Sequence, residues 1–411
     1  MRLERGNAKV MVAMSGGVDS SVAALLLKRG GYDCAGAMLK LFDGAPSDDG
    51  SQNFGGHQSD DGSLDSGVCQ GDGGSPSCGG SQSCNGGQSC GGRQSSGLPA
   101  SRACCSLDDA EDARKVAYRL GMPFYALNFK SIFQKEVIGR FVAAYESGAT
   151  PNPCIDCNRF VKFGWLLRKA EAMGFTHIAT GHYARIEYGG AGGRHLLKKG
   201  ADETKDQSYV LYALTQRQLE RLILPLGGLR KERARELARR CGFANAGKRD
   251  SQDICFVPDG DYAGFIEAYT GRAAERGPFL DLQGNAVGTH RGAVRYTLGQ
   301  RRGLGLAMPS PVYVCAKSMR DNTVTVGGES SLYSKSLTAR DINFIPFDAA
   351  PAPMRVKART RYRQPEQWAT LEQTGDDEAH VEFDAPQRAI TPGQAVVLYD
   401  GDLVIGGGTI V

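Results

Sequence analysis

Near the start of the chain an apolar run, Lys9–Met14 (KVMVAM), passes directly into Ser15–Ser21 (SGGVDSS). Helical spacing follows over Ser20–Arg29 and stops at Gly30. A buried strand, a glycine turn and a helix in that order constrain the fold more than any other stretch. The glycines let the backbone approach a ligand, and the N–H groups and positive dipole end of the next helix suit an anion. Ser15, Ser20 and Ser21 add hydroxyls, and Asp19 either braces the turn or holds a Mg²⁺ that bridges phosphates. A tight glycine turn before a helix is common by itself. A complete S-G-G-x-D-S after a strand is far more specific and favours nucleotide binding. The stretch lacks G-x-x-x-x-G-K-[ST], so it is not the loop of γ-phosphate-cleaving NTPases.

Alternation continues beyond it. Residues 32–42 (YDCAGAMLKLF) and 123–129 (PFYALNF) read as strands, and Thr176–Arg185 (THIATGHYAR) as a strand ending in a loop. Ser106 and Asp109 form a capping-box pair ahead of a helix with Ala110, Ala113, Val116, Ala117 and Leu120 on one face and Gly121 as its stop. Phe163–Met173 is helical. The pattern predicts an α/β fold with a doubly wound parallel sheet over residues 1–213. Leu214–Phe243 reads as helical, within a small mixed central domain at 214–278, and LRKERARELARRCGF is its most basic helix. Short strands and glycine turns over 279–411 predict a C-terminal β-barrel-like domain. Gly44–Ser101, rich in Gly, Ser, Gln and Asp, cannot bury enough apolar surface to offset its ordering entropy and is expected to be a disordered insertion. Its Cys69, Cys78, Cys84 and Cys90 form an imperfect repeat, read as incidental thiols in a flexible loop.

At 411 residues the chain has room for two or three cores. A net charge of +4 is too mild to prove a nucleic-acid partner, so local clustering must decide that question. No apolar run approaches the roughly 18–20 residues of a membrane span, and the N-terminus lacks the long apolar region of a secretion signal. A cytoplasmic location is expected. There the twelve cysteines are reactive, metal-binding or buried rather than a disulfide framework. For Cys34, Cys104, Cys105, Cys241 and Cys315 the buried role is favoured.

SGGVDSS resembles the pyrophosphate-binding loop of the ATP pyrophosphatases, which adenylate a carbonyl oxygen. That likeness implies ATP contacts from Ala13, Met14, Ser15, Gly16, Gly17, Val18, Asp19 and Ser20, with adenine near Leu39 and Gly181 at neighbouring strand ends. Further stretches join it: TPNPCIDCNRFVKF, ATGHYAR, KDQSYVLYAL, SQDICFV, YTLGQRRGLG and RTRYR. Their order and spacing resemble the bacterial tRNA-specific 2-thiouridylase family over nearly the whole chain outside the insertion.

The resemblance implies Cys157 as nucleophile and Cys255 as carrier of the incoming persulfide. A uracil C2 carbonyl is a poor electrophile, so ATP first turns its oxygen into a leaving group and sulfur is then delivered where water competes. The Cys255 persulfide supplies that sulfur directly, or Cys157 attacks it and releases hydrosulfide. Either route leaves a Cys157–Cys255 disulfide for an external reductant to reopen. Arg159 and Lys162 are candidates for lowering the Cys157 pKa. Many relatives carry an acidic residue where this chain has Cys154, and Asp156 stands nearby. Three readings stay open: Cys154 contacts the target base, Asp156 takes over acid/base work, or Cys154, Cys157 and Cys255 hold a [4Fe–4S] cluster. A structural zinc would need a fourth ligand, for which His182 is a poor candidate.

Arg355, Lys357, Arg359, Arg361 and Arg363 recur at every second residue, which on one strand puts five cations on one face. A solvated edge strand is the plain reading, and a tRNA backbone the favoured one. The family likeness carries tRNA contacts onto Arg361, Tyr362, Lys205, Asp206, Gln207, His182 and Gln394. It places Asn152, Pro153 and Cys154 at the target base, which must flip out to react. A persulfide donor, either a cysteine desulfurase or a relay protein, is implied as partner. Two other classes remain: an ATP pyrophosphatase acting on a small-molecule carbonyl or carboxylate, and a non-catalytic RNA-binding or sulfur-carrier module.

Overall fold

The structure, a computed structural model, describes residues 8–42, 107–189, 192–248, 254–257, 259–351 and 353–411. The insertion Gly44–Ser101 with its four cysteines, Cys104, Cys105 and Ser106 of the expected capping pair lie outside the described residues.

The chain begins β1 (Lys9–Ala13), α1 (Val18–Arg29), β2 (Asp33–Lys40), α2 (Leu107–Arg119) and β3 (Phe124–Asn128). It continues through β4 (His177–Ala179), the hairpin β5 (Ala184–Tyr188) and β6 (His195–Lys199), and β7 (Leu222–Ile223). Strands β3-β2-β1-β4-β7 form a five-stranded sheet whose pairings are all parallel. Val10, Met11 and Val12 of its central strand are fully buried because helices cover both faces. The order reverses at β1, with β2 on one side and β4 on the other, so the glycine turn after β1 stands at a topological switch point.

The region expected to be helical, 214–243, holds two helices, Gln216–Glu220 and Lys231–Arg240. The second buries Ala234 and Ala238 in the same cluster as Val18, Val22 and Ala113 of the nucleotide unit, and Phe243 and Ala246 join it there. Its charged side faces outward, with Glu236 paired to Arg233 and Arg240.

From Gly277 onward the strands make two sheets. The first joins β8 (Gly277–Leu280), β9 (Ala286–His290), β10 (Tyr313–Ser318) and β11 (Thr323–Gly327), with β8–β11 parallel and the other pairings antiparallel. The second contains β12 (Tyr333–Phe344), β13 (Met354–Arg359), β14 (Gln367–Gly375), β15 (Glu378–Arg388), β16 (Ala395–Asp400) and β17 (Leu403–Ile410). An added β12–β17 pairing closes these six antiparallel strands into a barrel, and β6 extends the sheet from β17.

The five-cation strand needs correction. β13 ends at Arg359, and Arg361 to Arg363 lie in the following turn, so no single strand face carries all five. Arg355 binds Asp384 with two hydrogen bonds of 2.8 Å, and Arg359 binds Glu366 at 2.8 Å. Carboxylates from elsewhere in the barrel thus balance the charges of Arg355 and Arg359.

Candidate nucleotide and thiolation site

The glycine turn is held from three sides. Ser20 and Ser21 donate their hydroxyls to the Gly17 carbonyl, and the Ser15 N–H donates to Ser20 Oγ at 3.2 Å. Gly16 adopts φ +71°, and a Cβ there would stand 2.3 Å from the Asp109 carbonyl oxygen, so the turn is pressed against α2. Asn245 donates from Nδ2 to the Gly16 carbonyl at 2.8 Å and to Ser21 Oγ at 2.9 Å. Lys248 ties α2 to the same segment through Asp109 and Asp112.

Asp19, at the start of α1, accepts from Tyr183 Oη at 2.8 Å and from Lys231 Nζ at 2.8 and 2.7 Å, one bond to each carboxylate oxygen. Leu39, near the end of β2, and Gly181, just beyond β4, lie at the same end of the sheet as the turn. Gly181 packs so closely on α1 that a Cβ would lie 2.7 Å from the Asp19 carbonyl carbon. Lys231, Asn245 and Lys248 were not singled out from the sequence. Their only signal there was proximity to the SQDICFV stretch and one basic helix.

Asn152 caps the helix that carries the paired cysteines. Its Oδ1 accepts from the Cys154 N–H at 3.1 Å, and Pro153 fills the first helical position, where no N–H is needed. The helix widens to π geometry over Cys157–Trp165. Cys157 is buried and Cys154 exposed. Cys255 is half-buried and packs against the hydrophobic cluster to which Cys157 belongs, so the two distant cysteines share one core. Asn158 fixes the helix by donating to the Val210 carbonyl at 3.0 Å.

Among the described residues no group of three or more His, Cys, Asp or Glu side chains is placed to hold a metal ion. Cys154 is exposed while Cys157 is buried. Arg159 is engaged by Asp341 of β12, with Nη2 at 3.0 Å from Oδ1, a pairing that strengthens its hold on its proton. Its charge is committed across the domain boundary to that carboxylate.

Asp156 is half-buried and faces a cavity of about 650 Å³ bounded by Arg140, Asn152, Tyr212, Lys317 and Asp341. Burial pushes its carboxyl up to about 6, against the pull of Arg140 and Arg159. His182 is buried with Nδ1 2.7 Å from Thr180 Oγ1, and burial, aided by Lys162, holds its pKa well below the ordinary range. The imidazole is neutral at physiological pH.

The residues expected at tRNA converge where barrel and nucleotide unit meet. Tyr362 Oη donates to the Asp206 carbonyl at 3.0 Å, and its ring packs against Tyr209. Burial, then the charge of Asp206, then that of Cys154, raise the Tyr362 pKa. Gln394 donates to the Thr150 carbonyl at 2.6 Å and so steadies the loop before Asn152. Gln207 pairs with the Tyr183 backbone through both its own N–H and its side-chain oxygen. The Asp206 carboxylate is buried and turned inward, accepting from the Gly200 N–H at 3.0 Å and from the Ser208 N–H and hydroxyl at 3.1 and 2.8 Å. Arg361 donates to the Ala389 carbonyl and Thr391 Oγ1. Lys205 is half-buried on the loop joining Asp202 to Asp206. Among the described residues no helix is long and apolar enough to cross a membrane.

Comparison with known proteins agrees with this geometry. A family profile described as the tRNA methyl transferase HUP domain matches residues 8–69 and 93–259. A PRC-barrel profile of the same group matches 263–328, and an aminomethyltransferase beta-barrel profile matches 334–410. The tRNA-specific 2-thiouridylase MnmA of Acetivibrio thermocellus is 46% identical over 402 residues, covering 98% of this chain and 99% of that one. The enzyme of the same name from Moorella thermoacetica is 46% identical over 400 residues, covering 97% and 98%. Among solved structures, the U34-tRNA thiolase NcsA from Methanococcus maripaludis with its [4Fe-4S] cluster reaches a TM-score of 0.31 at 15% identity, covering 64% of this chain and 68% of that one. That likeness is too remote to bear on the site.

Proposed function

The chain belongs to the tRNA-specific 2-thiouridylase family, and from that membership we propose how its residues exchange the O2 of a tRNA wobble uridine for sulfur, with tRNAs for Lys, Glu and Gln as the expected substrates. ATP lies with its phosphates on the Ser15–Ser21 turn and the start of α1, and its adenine between Leu39 and Gly181. The uridine is turned out of the anticodon towards the loop of Asn152, Pro153 and Cys154. Its O2 attacks the α-phosphorus of ATP, a new P–O bond forms, and pyrophosphate departs.

Sulfur delivery then balances in either order. The terminal sulfur of a Cys255 persulfide attacks C2 and AMP leaves; the Cys157 thiolate next attacks Cys255 Sγ, breaking the S–S bond and releasing 2-thiouridine. Alternatively Cys157 attacks first and the freed hydrosulfide displaces AMP. Both orders oxidise the pair to a Cys157–Cys255 disulfide, which a thiol reductant reopens before the next persulfide is loaded by a cysteine desulfurase or relay protein. Asp156 is the proton-handling group of the loop, a role its carboxyl suits by ionising near neutrality. Mg²⁺ is compatible with the turn because it usually takes only one or two protein carboxylates beside the phosphates. Both Asp19 oxygens are paired with Lys231, so the ion, which would neutralise phosphate charge, would be held chiefly by the phosphates. The working division of the chain remains 1–213, 214–278 and 279–411, with Lys231–Lys248 acting with the first part.

The observation that carries this reading is the placement of Cys157 and Cys255 in one core although 98 positions apart in sequence. Its test is thiolation in vitro with ATP, unmodified tRNA and a persulfide source. Wild type should form 2-thiouridine with tRNA-dependent pyrophosphate release. Pyrophosphate release on free carboxylates without tRNA would instead establish a small-molecule enzyme.

A further inference from the structure

The helix Lys231–Arg240 lies more than two hundred residues from the glycine turn in sequence, yet its first residue reaches the only carboxylate in Ser15–Ser21. Lys231 is buried, with its side chain 7% exposed, and Nζ lies 2.8 and 2.7 Å from the two Asp19 oxygens. Tyr183 completes the arrangement from a third direction, donating Oη to Asp19 and presenting its ring 5.7 Å from the ammonium group. The helix start is itself fixed, because the Lys231 N–H donates to Asp202 Oδ2 at 2.9 Å.

The electrostatics of the turn give this pair a task. The N-terminus of α1 attracts the phosphates of ATP, whereas a carboxylate in its first turn repels them. Asp19 is half-buried, so without its cation its charge is only partly compensated by solvent. Surface lysines form ion pairs of little consequence. This lysine is buried, chelates both oxygens and is anchored at its backbone.

We propose that Lys231 is a positioning residue of the nucleotide site, which by pairing with both oxygens of Asp19 neutralises and aims that carboxylate so that the turn accepts ATP. The inference rests on the nucleotide reading of the turn and extends it to a residue outside the catalytic motifs. Lys231 acts through Asp19, so its effect is conditional on Asp19 being charged.

Equilibrium binding of ATP to the full chain, with EDTA and with Mg²⁺, tests this without turnover. Lys231→Met should weaken ATP binding in EDTA by about tenfold or more, the scale set by one uncompensated charge close to phosphate. Lys231→Arg should recover most of that loss, and the Kd for tRNA should change by less than about twofold. Asp19→Asn/Lys231→Met should bind ATP no worse than Asp19→Asn alone, since the carboxylate that the lysine answers is gone. Lys231→Met binding ATP like wild type would overturn the proposal, as would additive losses in the double variant. Should Lys231→Met melt before it can be titrated, Lys231→Arg and the Asp19→Asn background still decide the matter. A wild type that binds no ATP would instead overturn the nucleotide reading itself.

Discussion

Tyr362 donates its hydroxyl to the backbone carbonyl of Asp206 at 3.0 Å, joining the C-terminal barrel to the loop that runs on through Gln207 to Tyr183 and Asp19. The Asp206 side chain is buried and spent on Gly200 and Ser208, so that loop is shaped from within and presents its backbone outward. Tyr362, 38% exposed, is left with an aromatic face for a nucleotide. Removing one neutral hydrogen bond at such a joint costs about 1 kcal/mol. Tyr362→Phe should therefore weaken tRNA binding about fivefold and leave the Kd for ATP unchanged, as read by fluorescence anisotropy with labelled tRNA. Equal losses for both ligands would mean that the bond only holds the fold.

The three cysteines proposed for the thiolation site should separate sharply on substitution. Cys157→Ser and Cys255→Ser should each abolish 2-thiouridine formation, while tRNA-dependent pyrophosphate release persists, since adenylation precedes sulfur transfer. Cys154 is exposed rather than buried in the core, so Cys154→Ser should retain thiolation within about fivefold, the scale of one lost weak contact. A three-thiolate cluster demands equal loss in all three variants and iron in the purified wild type. Mass spectrometry of the tRNA nucleosides distinguishes the two patterns.

Much of this architecture was legible because local chemistry and global fold agree. KVMVAM followed by SGGVDSS fixes a buried parallel strand, a glycine turn and a helix, and all three stand where the spacing put them. The role of Lys231 was not legible, because a lysine at the start of a basic helix looks like any solvated charge until that helix docks. Asn245 was hidden for the same reason: its contacts with Gly16 and Ser21 span more than two hundred residues. The basic strand misled in the opposite direction. Two-residue spacing gives side-chain direction only while the strand lasts, and it says nothing about Asp384 and Glu366, which the barrel brings against Arg355 and Arg359.

Gly16 is the position where the turn tolerates no side chain. Its φ of +71° is disfavoured for other residues, and an added Cβ would meet the Asp109 backbone at 2.3 Å. Backbone strain of about 1–3 kcal/mol comes before any clash. Gly16→Ala should lower the melting temperature by several degrees and weaken ATP binding more than tenfold. Gly228→Ala, where a Cβ meets nothing within 4 Å, is the matched control and should change neither. Calorimetry and nucleotide titration on the two variants make the comparison, and equal behaviour would contradict the packing described for the turn.

Asp156 gives the protein a pH dependence with a definite sign. Its carboxyl is raised from 3.8 to about 6, chiefly by burial, so the folded state retains a proton that the unfolded chain has already released. Below pH about 4 both states are protonated and the group contributes nothing. As pH rises from there to about 6, folding loses stability, and above about 6 the penalty is complete. A shift of about two units sets a ceiling of about 3 kcal/mol, and partial solvent access brings the expected value to about 1–2 kcal/mol. Asp156→Asn escapes that penalty but also gives up attraction to Arg140 and Arg159. Relative to wild type its melting temperature should therefore be lowest at pH 4 and climb steadily to a plateau above pH 7. A difference that stays constant between pH 4 and 8 would mean that Asp156 ionises at the ordinary carboxylate pKa, and it would remove the group from proton handling in the thiolation step.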